Sequence, residues 1–414
     1  MTTGATLLSR ADQLVPTVDS LVAAIEAALP DLQSRCLMEE KAGRLSEETI
    51  LKLDEIGVFR MSVPLEYGGL AFNTEEQLKV YTAVGKIAGS TGWVAWNSTS
   101  ALRWIAMYSE QTRQEIYGMT DWRGPLVCGV VNSFGPGRAR SVEGGFMVQG
   151  KWPFCSSCQH TAWYTLGALC PTADGTAEAW IMLVPREDIR ILDDWAVSGM
   201  KATGSNTVQI VEEVFVPAHR AIRVKDALNG DWAAPPPKGQ LVFQNHFITF
   251  VSLLSGATPL GMAKGALDYY MSRIRKRGIS ATDYEVQADA PITHLQLADA
   301  VSRIDAAELV LTKHAIEIDR RASAGEAWDD MFRTKLRFDV ANAVRGCTEA
   351  IEILHRGSGA STIHENNPMQ RFARDARVAT VHAQFNYETC AEDYGRVLCG
   401  KPTFGNFAKS ARPQ

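Results

Sequence analysis

Several short stretches of this chain place chemically useful residue types at suggestive spacings. Cys155-Ser156-Ser157-Cys158 sets two thiols at the C-x-x-C spacing of redox and zinc sites. No second pair accompanies it, and it follows a predicted strand, whereas a thioredoxin-like motif opens a helix. Gly199-Met200-Lys201-Ala202-Thr203-Gly204-Ser205 has the glycine spacing of a triphosphate loop, but Ser205 stands where that loop needs lysine. Gly357-Ser358-Gly359-Ala360-Ser361 lacks the third glycine of a dinucleotide fingerprint and follows a helical pattern. No nicotinamide site is visible. Near the C-terminus, His382 offers an imidazole, the group best suited to moving protons near neutral pH. The 8 histidines show no H-E-x-x-H or facial metal spacing, and no G-x-S-x-G elbow exists. Hydrolase and metalloenzyme chemistry therefore has no visible centre, and no metal is expected.

These groups need a scaffold. The chain has 414 residues, 46% of them hydrophobic, enough for a large core and two or three structural units. A net charge of -5, with both signs spread along the sequence, gives no basic stripe for nucleic acid and no polybasic membrane segment. Neither partner is expected. The N-terminus lacks a basic start followed by an apolar run, no apolar stretch is long enough to span a bilayer, and 8 scattered cysteines are too sparse for a disulfide framework. These features predict a cytoplasmic protein with reduced thiols.

From about residue 11 to 120 apolar residues recur at helical spacing, as in Val22, Ile25, Ala28 and Leu29. Ser46 followed by Glu47 and Glu48 reads as an N-cap, and Thr74-Glu75-Glu76-Gln77 has the spacing of a capping box. Within this segment Gly89-Ser90-Thr91-Gly92-Trp93-Val94-Ala95-Trp96 mixes small and aromatic residues, so a helix there can approach a flat ligand closely. Strand patterns follow over 125–131, 146–154, 163–170, 179–184 and 208–216, with spacing that predicts an antiparallel sheet. After a linker at Ala234 to Pro237, four long helices are predicted: Phe247 to Ile274, Pro291 to Arg320, Trp328 to Leu354 and Pro368 to Leu398. In the third, Phe332, Leu336, Val340, Ala343, Val344, Cys347, Ile351 and Leu354 form one apolar stripe, as a bundle requires.

Four motifs carry a resemblance to one superfamily. Gln370 to Ala383, with Arg374-Asp375-Ala376-Arg377 inside it, resembles the C-terminal signature of the acyl-CoA dehydrogenases. Gly57 to Gly69 is similar to their early Val-Pro-x-Glu-x-Gly-Gly turn, and Ser198 to Thr207 with Val214-Phe215-Val216-Pro217 to their central turn and strand end. Gly150-Lys151-Trp152-Pro153-Phe154-Cys155-Ser156, running on to Trp163, resembles the pattern of the flavin-dependent monooxygenases built on the same fold, with Ser157 in place of the usual glycine. In dehydrogenases the C-terminal signature runs into Tyr-Glu-Gly, whose Glu is often the base. Here His382, Ala383 and Gln384 occupy those positions, and a methyl group cannot take a proton.

The resemblance implies an α+β, mainly α fold: a helical N-domain over 1–122, a β-barrel domain over 123–225 and a C-terminal four-helix bundle over 226–414. It implies the oxygenase component of a two-component flavin monooxygenase. Such a component takes reduced flavin (FMN or FAD) from a separate NAD(P)H-dependent flavin reductase and uses O2, through a C4a-hydroperoxyflavin, to hydroxylate or epoxidise a small aromatic substrate, indole-type or phenolic. Homotetramers are usual in the family. Alternatives are an amino-sugar or other N-oxygenase on this fold, an acyl-CoA dehydrogenase with FAD, and a non-enzymatic scaffold. The resemblance further implies that His382 and Ser156 are catalytic. It implies that Trp93, Phe154, Ser156, Thr203, Ser205, Arg273, Gly357, Ser358, Gly359 and Ser361 bind the cofactor, and that Asn97, Ala101 and Trp104 line the substrate pocket. Ala101 lies where several phenol-hydroxylating members carry a histidine, eight residues after the tryptophan, which implies a substrate that needs no imidazole partner.

Overall fold

Helices come first because apolar residues recur there with helical period and caps close their ends. The computed structural model describes residues 16–119, 121–131 and 137–403. Its opening helices are α1 (Val18–Ala42), α2 (Glu47–Ile56), α3 (Thr74–Gly85), α4 (Gly89–Ile105) and α5 (Glu110–Tyr117). Ser46 caps α2 as its sequence indicates, accepting from the Thr49 N–H at 3.2 Å. The capping box of α3 sits one residue earlier than the sequence suggests. Asn73 accepts from the Glu76 N–H at 2.9 Å while the Glu76 carboxylate accepts from the Asn73 N–H at 2.8 Å.

The middle segment holds strands β1 (Val127–Val130), β2 (Gly137–Val142), β3 (Gly145–Trp152), β4 (Trp163–Pro171), β5 (Ala177–Pro185), β6 (Arg190–Ile191), β7 (Val208–Pro217) and β8 (Ala221–Arg223). They form one sheet in the order β6-β7-β3-β2-β4-β5-β8, with β1 also on β4; no pair joins β6 to β8 among the described residues. The expectation of a wholly antiparallel sheet is corrected. β5 runs antiparallel along one edge of β4, but β1 and then β2 run parallel to it along the other. The chain reaches this arrangement by crossing back through the β2–β3 hairpin, so no helix is needed between the parallel neighbours.

A short helix, α6 (Val224–Asn229), leads to α7 (Phe247–Ser255), α8 (Ala257–Ile274), α9 (Pro291–Ala324), α10 (Asp330–Gly357), α11 (Pro368–Thr380) and α12 (Tyr387–Leu398). Two of the four long helices expected here are in fact broken. The first divides at Gly256 because Pro259 has no N–H for the Ser255 carbonyl and its ring crowds that carbonyl. The last divides between Thr380 and Tyr387, so His382 lies in a turn and not on a helix face. The run 247–274 is long and apolar enough to cross a membrane, but 89% of its window is buried inside the fold.

One hydrophobic core runs from α1 through α11 and joins the N-terminal and C-terminal helices, while a second fills the sheet around Trp152, Tyr164 and Val148. The two helical segments meet where α3 crosses α8 at glycines. A Cβ on Gly261 would lie 2.3 Å from the Thr82 carbonyl oxygen and 2.7 Å from the Gly85 Cα. Both neighbours are backbone and cannot step aside. Gly261→Ala should therefore destabilise the protein by roughly 2–4 kcal/mol. Chemical denaturation measures this; a loss under about 0.5 kcal/mol would show that the helices can part without penalty.

Candidate active site

The connection between β3 and β4, residues 153–162, must leave one strand end and return beside β1, and backbone bonds fasten it to the 198–207 turn. Cys155 N–H donates to the Asn206 carbonyl at 3.2 Å, and Ser157 N–H to the Thr203 carbonyl at 3.0 Å. Ser157 sits at φ +64°, the left-handed conformation that the usual glycine reaches freely, and its hydroxyl lies 3.0 Å from that of Ser98 on α4. The serine thus reproduces the glycine turn and gains an anchor. The C-x-x-C thiols do not pair with each other: Cys155 Sγ lies 3.6 Å from Cys128 Sγ, and Cys158 donates to the Gly204 carbonyl at 3.3 Å. The contact with the Cys128 thiol, and then burial, push the Cys155 thiol well above its ordinary pKa, which makes it a poor nucleophile.

The 198–207 turn is in turn held by α11. Met200, at φ +54°, donates its N–H to Asp375 Oδ1 at 2.6 Å, and Arg374 Nη1 donates to the Ser198 carbonyl at 2.9 Å. Arg374 Nη2 also reaches Glu40 on α1 at 2.8 Å. Gly199 permits this approach, since a Cβ there would lie 2.7 Å from the Arg374 carbonyl oxygen.

On this frame stands a continuous hydrogen-bond chain. Trp93 Nε1 donates to Ser156 Oγ at 3.2 Å; Ser156 Oγ lies 2.7 Å from Ser205 Oγ; Ser205 Oγ lies 2.7 Å from Thr203 Oγ1; and Thr203 Oγ1 donates to the Met200 carbonyl at 2.8 Å. Every member is buried. Five of the residues singled out by sequence, Trp93, Ser156, Thr203, Ser205 and His382, are thereby brought together. The His382 ring meets the Trp93 ring edge-on at 5.1 Å, and Trp96 and Phe385 lie 4.6 Å and 6.1 Å from Trp93.

His382 is exposed to solvent in the turn after α11. Neighbouring protein partly desolvates the ring and pushes its pKa down to about 4, a push that its exposure to solvent moderates. The imidazole is neutral at neutral pH. Its Nδ1 accepts the Gln384 N–H at 3.3 Å, which leaves Nε2 as the protonated nitrogen and a hydrogen-bond donor. Phe154 stands at φ +62° and is 69% exposed, with Trp195 edge-on at 5.9 Å. A strained, exposed aromatic is a feature of ligand sites. Trp195 Nε1 is buried without a partner among the described residues, a donor that a ligand could satisfy.

Along α4, Asn97 is partly buried with Oδ1 unpartnered, Ala101 is buried, and Trp104 packs on Phe247 at 3.9 Å between centroids. Ser100, three residues on from Asn97, also has an unpartnered buried hydroxyl. The remaining sequence-derived residues form a separate group. Arg277 grips the glycine-rich loop, donating to the Ser358 carbonyl at 2.5 Å and the Gly357 carbonyl at 2.9 Å. Gly359 takes φ +68° beside it, and Ser361 accepts from Asn367 at 3.1 Å. Arg273 donates to the Tyr269 hydroxyl instead. No hydrogen bond or ring contact joins this loop to the Trp93 cluster among the described residues. Sequence reasoning missed Phe385, Trp195 and Arg277; the basic run 273–277 signalled the last, but not which arginine turns inward.

Two domain models and several known proteins match this chain. Residues 25–118 match the acyl-CoA dehydrogenase N-terminal domain, and residues 253–387 match the acyl-CoA dehydrogenase C-terminal domain. The chain is 33% identical over 384 residues to the flavin-dependent monooxygenase oxygenase subunit HsaA of Rhodococcus jostii, covering 91% of this chain and 98% of that protein. It is 26% identical over 384 residues to an indole-3-acetate monooxygenase of Pseudomonas putida, covering 91% and 94%. XiaF from a Streptomyces species, solved in complex with FADH2 and glycerol, superposes with a TM-score of 0.85 at 27% identity, covering 94% of this chain and 97% of that one.

Asp375, which holds the turn, is itself buried, and that burial raises its pKa from 3.8 to about 6 against the opposing pull of Arg374 and Arg371. Between those values the folded protein keeps a proton that the unfolded chain releases, so stability falls as pH rises through the window. In Asp375→Asn that fall should vanish. Relative to the variant, the wild type should lose roughly 1–3 kcal/mol between about pH 4 and about pH 7. Urea unfolding across that range checks it, and parallel curves would mean that Asp375 titrates as an ordinary carboxyl.

Proposed function

We propose, from the premise that the chain belongs to the flavin-dependent monooxygenase oxygenase components built on the acyl-CoA dehydrogenase fold, that it oxygenates a fused aromatic substrate at the recess between Trp93, Ser156 and His382. The protein uses reduced flavin and O2. The observation that carries the siting is the buried chain from Met200 to Trp93, whose Trp93 end meets the ring of His382. The unpartnered Trp195 Nε1 and the exposed Phe154 fit a flat, polar-edged ring system, and Thr203, Ser205 and Ser156 supply hydroxyls at its edge.

Reduced flavin, when bound, supplies the electrons that activate O2. The chain's own residues do the rest. Trp93, Trp96 and Phe385 form apolar walls that keep water from the reacting atoms. His382, neutral with its proton on Nε2, can donate a hydrogen bond to developing negative charge and pass that proton on. Dehydrogenation has no base at position 383, where Ala383 offers only a methyl group.

Electrons come from a separate NAD(P)H-dependent flavin reductase, consistent with a chain that has no dinucleotide fingerprint. A homotetramer is in keeping with the apolar side chains that α9 leaves uncovered, Leu295 at 72% and Leu309 at 71% exposure. The glycine-rich loop 357–361, held by Arg277, is suited to the distal part of the flavin, away from the reacting ring. For the substrate, Ala101 brings no imidazole to hold a phenolate, whereas Asn97 and Ser100 offer neutral polar groups beside aromatic walls. An indole-type ring is electron-rich without ionisation and suits that lining.

With reduced flavin kept up by a generic reductase, indole should give an oxygenated product at higher coupled turnover than hydroxyphenylacetate, and His382→Ala should lower that turnover roughly 10²-fold while leaving the fold intact. Mass spectrometry of product and circular dichroism of the variant decide it. A clear preference for the phenol would reverse the substrate assignment, and normal product yield in the variant would remove His382 from the mechanism.

A further inference from the structure

Arg103 lies in the last turn of α4 and is completely buried. Its Nε donates to the Val242 carbonyl at 2.7 Å, but Nη1 and Nη2, both buried, find no acceptor among the described residues. No carboxylate pairs with the charge there either. Aromatic rings surround it instead: the guanidinium carbon lies 5.1 Å from the Trp232 ring centre, 5.2 Å from that of Phe243 and 6.0 Å from that of Phe247. Burial lowers its pKa from 12.5 only to about 9, so the group is a cation at neutral pH. The ring faces and the carbonyl end of α4 moderate the cost of that charge, but they leave its planar fork of N–H groups unused.

Arg113 shows the contrast. It too lies over the Trp232 ring, at 6.0 Å, yet its Nη1 donates to the Pro235 carbonyl at 2.8 Å, and its Nη2 to the Ala234 carbonyl at 2.9 Å and to the Ala106 carbonyl. The Glu110 carboxylate stands 3.5 Å from it. Both guanidiniums flank one indole, and the fold fills the terminal nitrogens of Arg113 alone.

The unused fork shares a ridge with other unmet groups. Asn97, Ser100 and Arg103 follow at three-residue steps along α4, and Asn97 Oδ1, Ser100 Oγ and both Arg103 Nη atoms are buried without partners among the described residues. Phe247 borders the ridge, its ring 3.9 Å from that of Trp104 as well as facing the guanidinium. From Asn97 to Arg103 the helix axis advances about 9 Å. Polar atoms left unpaired inside a fold are costly unless something completes them.

We propose that Arg103 binds a carboxylate carried on a short side chain of the aromatic substrate, with the ring toward Asn97 and Trp93 and the charge at the far end of the ridge. The guanidinium fork matches the paired oxygens of a carboxylate, and between aromatic walls that pair is stronger than in water. An uncharged analogue leaves the fork unmet, so selectivity comes as much from the unpaired group in the wrong complex as from the bonds in the right one. The inference rests on the reading that Asn97, Ala101 and Trp104 line the substrate pocket. It adds the substrate's chemical class: an aromatic acid, neutral at the reacting ring and anionic at its tail.

The test is calorimetric titration of the full-length protein with indole-3-propionate and indole-3-butyrate, each against its own amide. Reduced FMN or FAD is present under anaerobic conditions, so binding is read without turnover. In the wild type the acid of at least one pair should bind roughly tenfold or more tighter than its amide. Arg103→Met should bring that ratio close to unity, and Arg103→Lys, which keeps the charge but loses the fork, should fall between. Acids that bind no better than their amides, or a preference that survives in Arg103→Met, overturn the inference. Should Arg103→Met not fold, an undiminished preference in Arg103→Lys overturns it. Each comparison holds the ring constant, so this failure is separate from that of the oxygenase reading, which falls if no indole gains oxygen once O2 is admitted.

Discussion

The structure depends on one buried contact, the bond from the Met200 N–H to Asp375. It holds a left-handed, non-glycine residue at the head of the 198–207 turn and fastens that turn to α11. From there the turn reaches the β3–β4 connection through the Thr203 and Asn206 carbonyls, and α4 through Ser156 and Trp93. All three segments of the chain therefore meet at one polar network. Burying so many hydroxyls is tolerable only because each finds a partner, and losing one partner exposes the remainder to the full penalty of an unpaired buried group.

This arrangement explains why the site lies where the segments join and not within any of them. The sheet has its own core, and the helices share another, so neither depends on the recess for stability. What remains at the seam is a strained and exposed Phe154, an unpartnered Trp195 nitrogen, and an imidazole presented from a break between two helices. Such features persist when the surrounding structure over-determines them, and they mark where a ligand completes the packing. The break after α11 sets the placement of His382: a continuous helix from Pro368 to Leu398 would have kept it on its own helix face instead of in the turn.

Much of the fold was legible in the sequence. The apolar stripe of α10, the Ser46 cap and five of the strands follow from periodicity and turn chemistry alone. The misreadings have physical reasons. Pro259 and the 381–386 turn interrupt helices whose apolar pattern continues across the gap, so pattern alone joins them. β2 carries Arg138 and Arg140 and little apolar signal, so its pairing was hidden, and the parallel partners of β4 depend on which edge the hairpin leaves open. At the site, motif resemblance pointed to Trp93, Ser156, Thr203, Ser205 and His382, yet no spacing rule could say that the hydroxyls of Ser156, Ser205 and Thr203 form one hydrogen-bonded chain reached by the Trp93 N–H. Nor could it say which arginine of the run 273–277 holds the glycine-rich loop, since only the bonds to the Ser358 and Gly357 carbonyls single out Arg277.

The central claim is that Trp93, Ser156, Ser205 and Thr203 act as a single unit on reduced flavin. A double-mutant cycle on anaerobic reduced-flavin affinity tests it most directly, using Trp93→Phe, Ser205→Ala and the two combined. Among the described residues Trp93 and Ser205 share no hydrogen bond, and the hydrogen-bond path between them runs through Ser156. The account predicts a coupling energy of about 1 kcal/mol or more, with the double variant little worse than the weaker single one. Losses that add to within about 0.3 kcal/mol would contradict it.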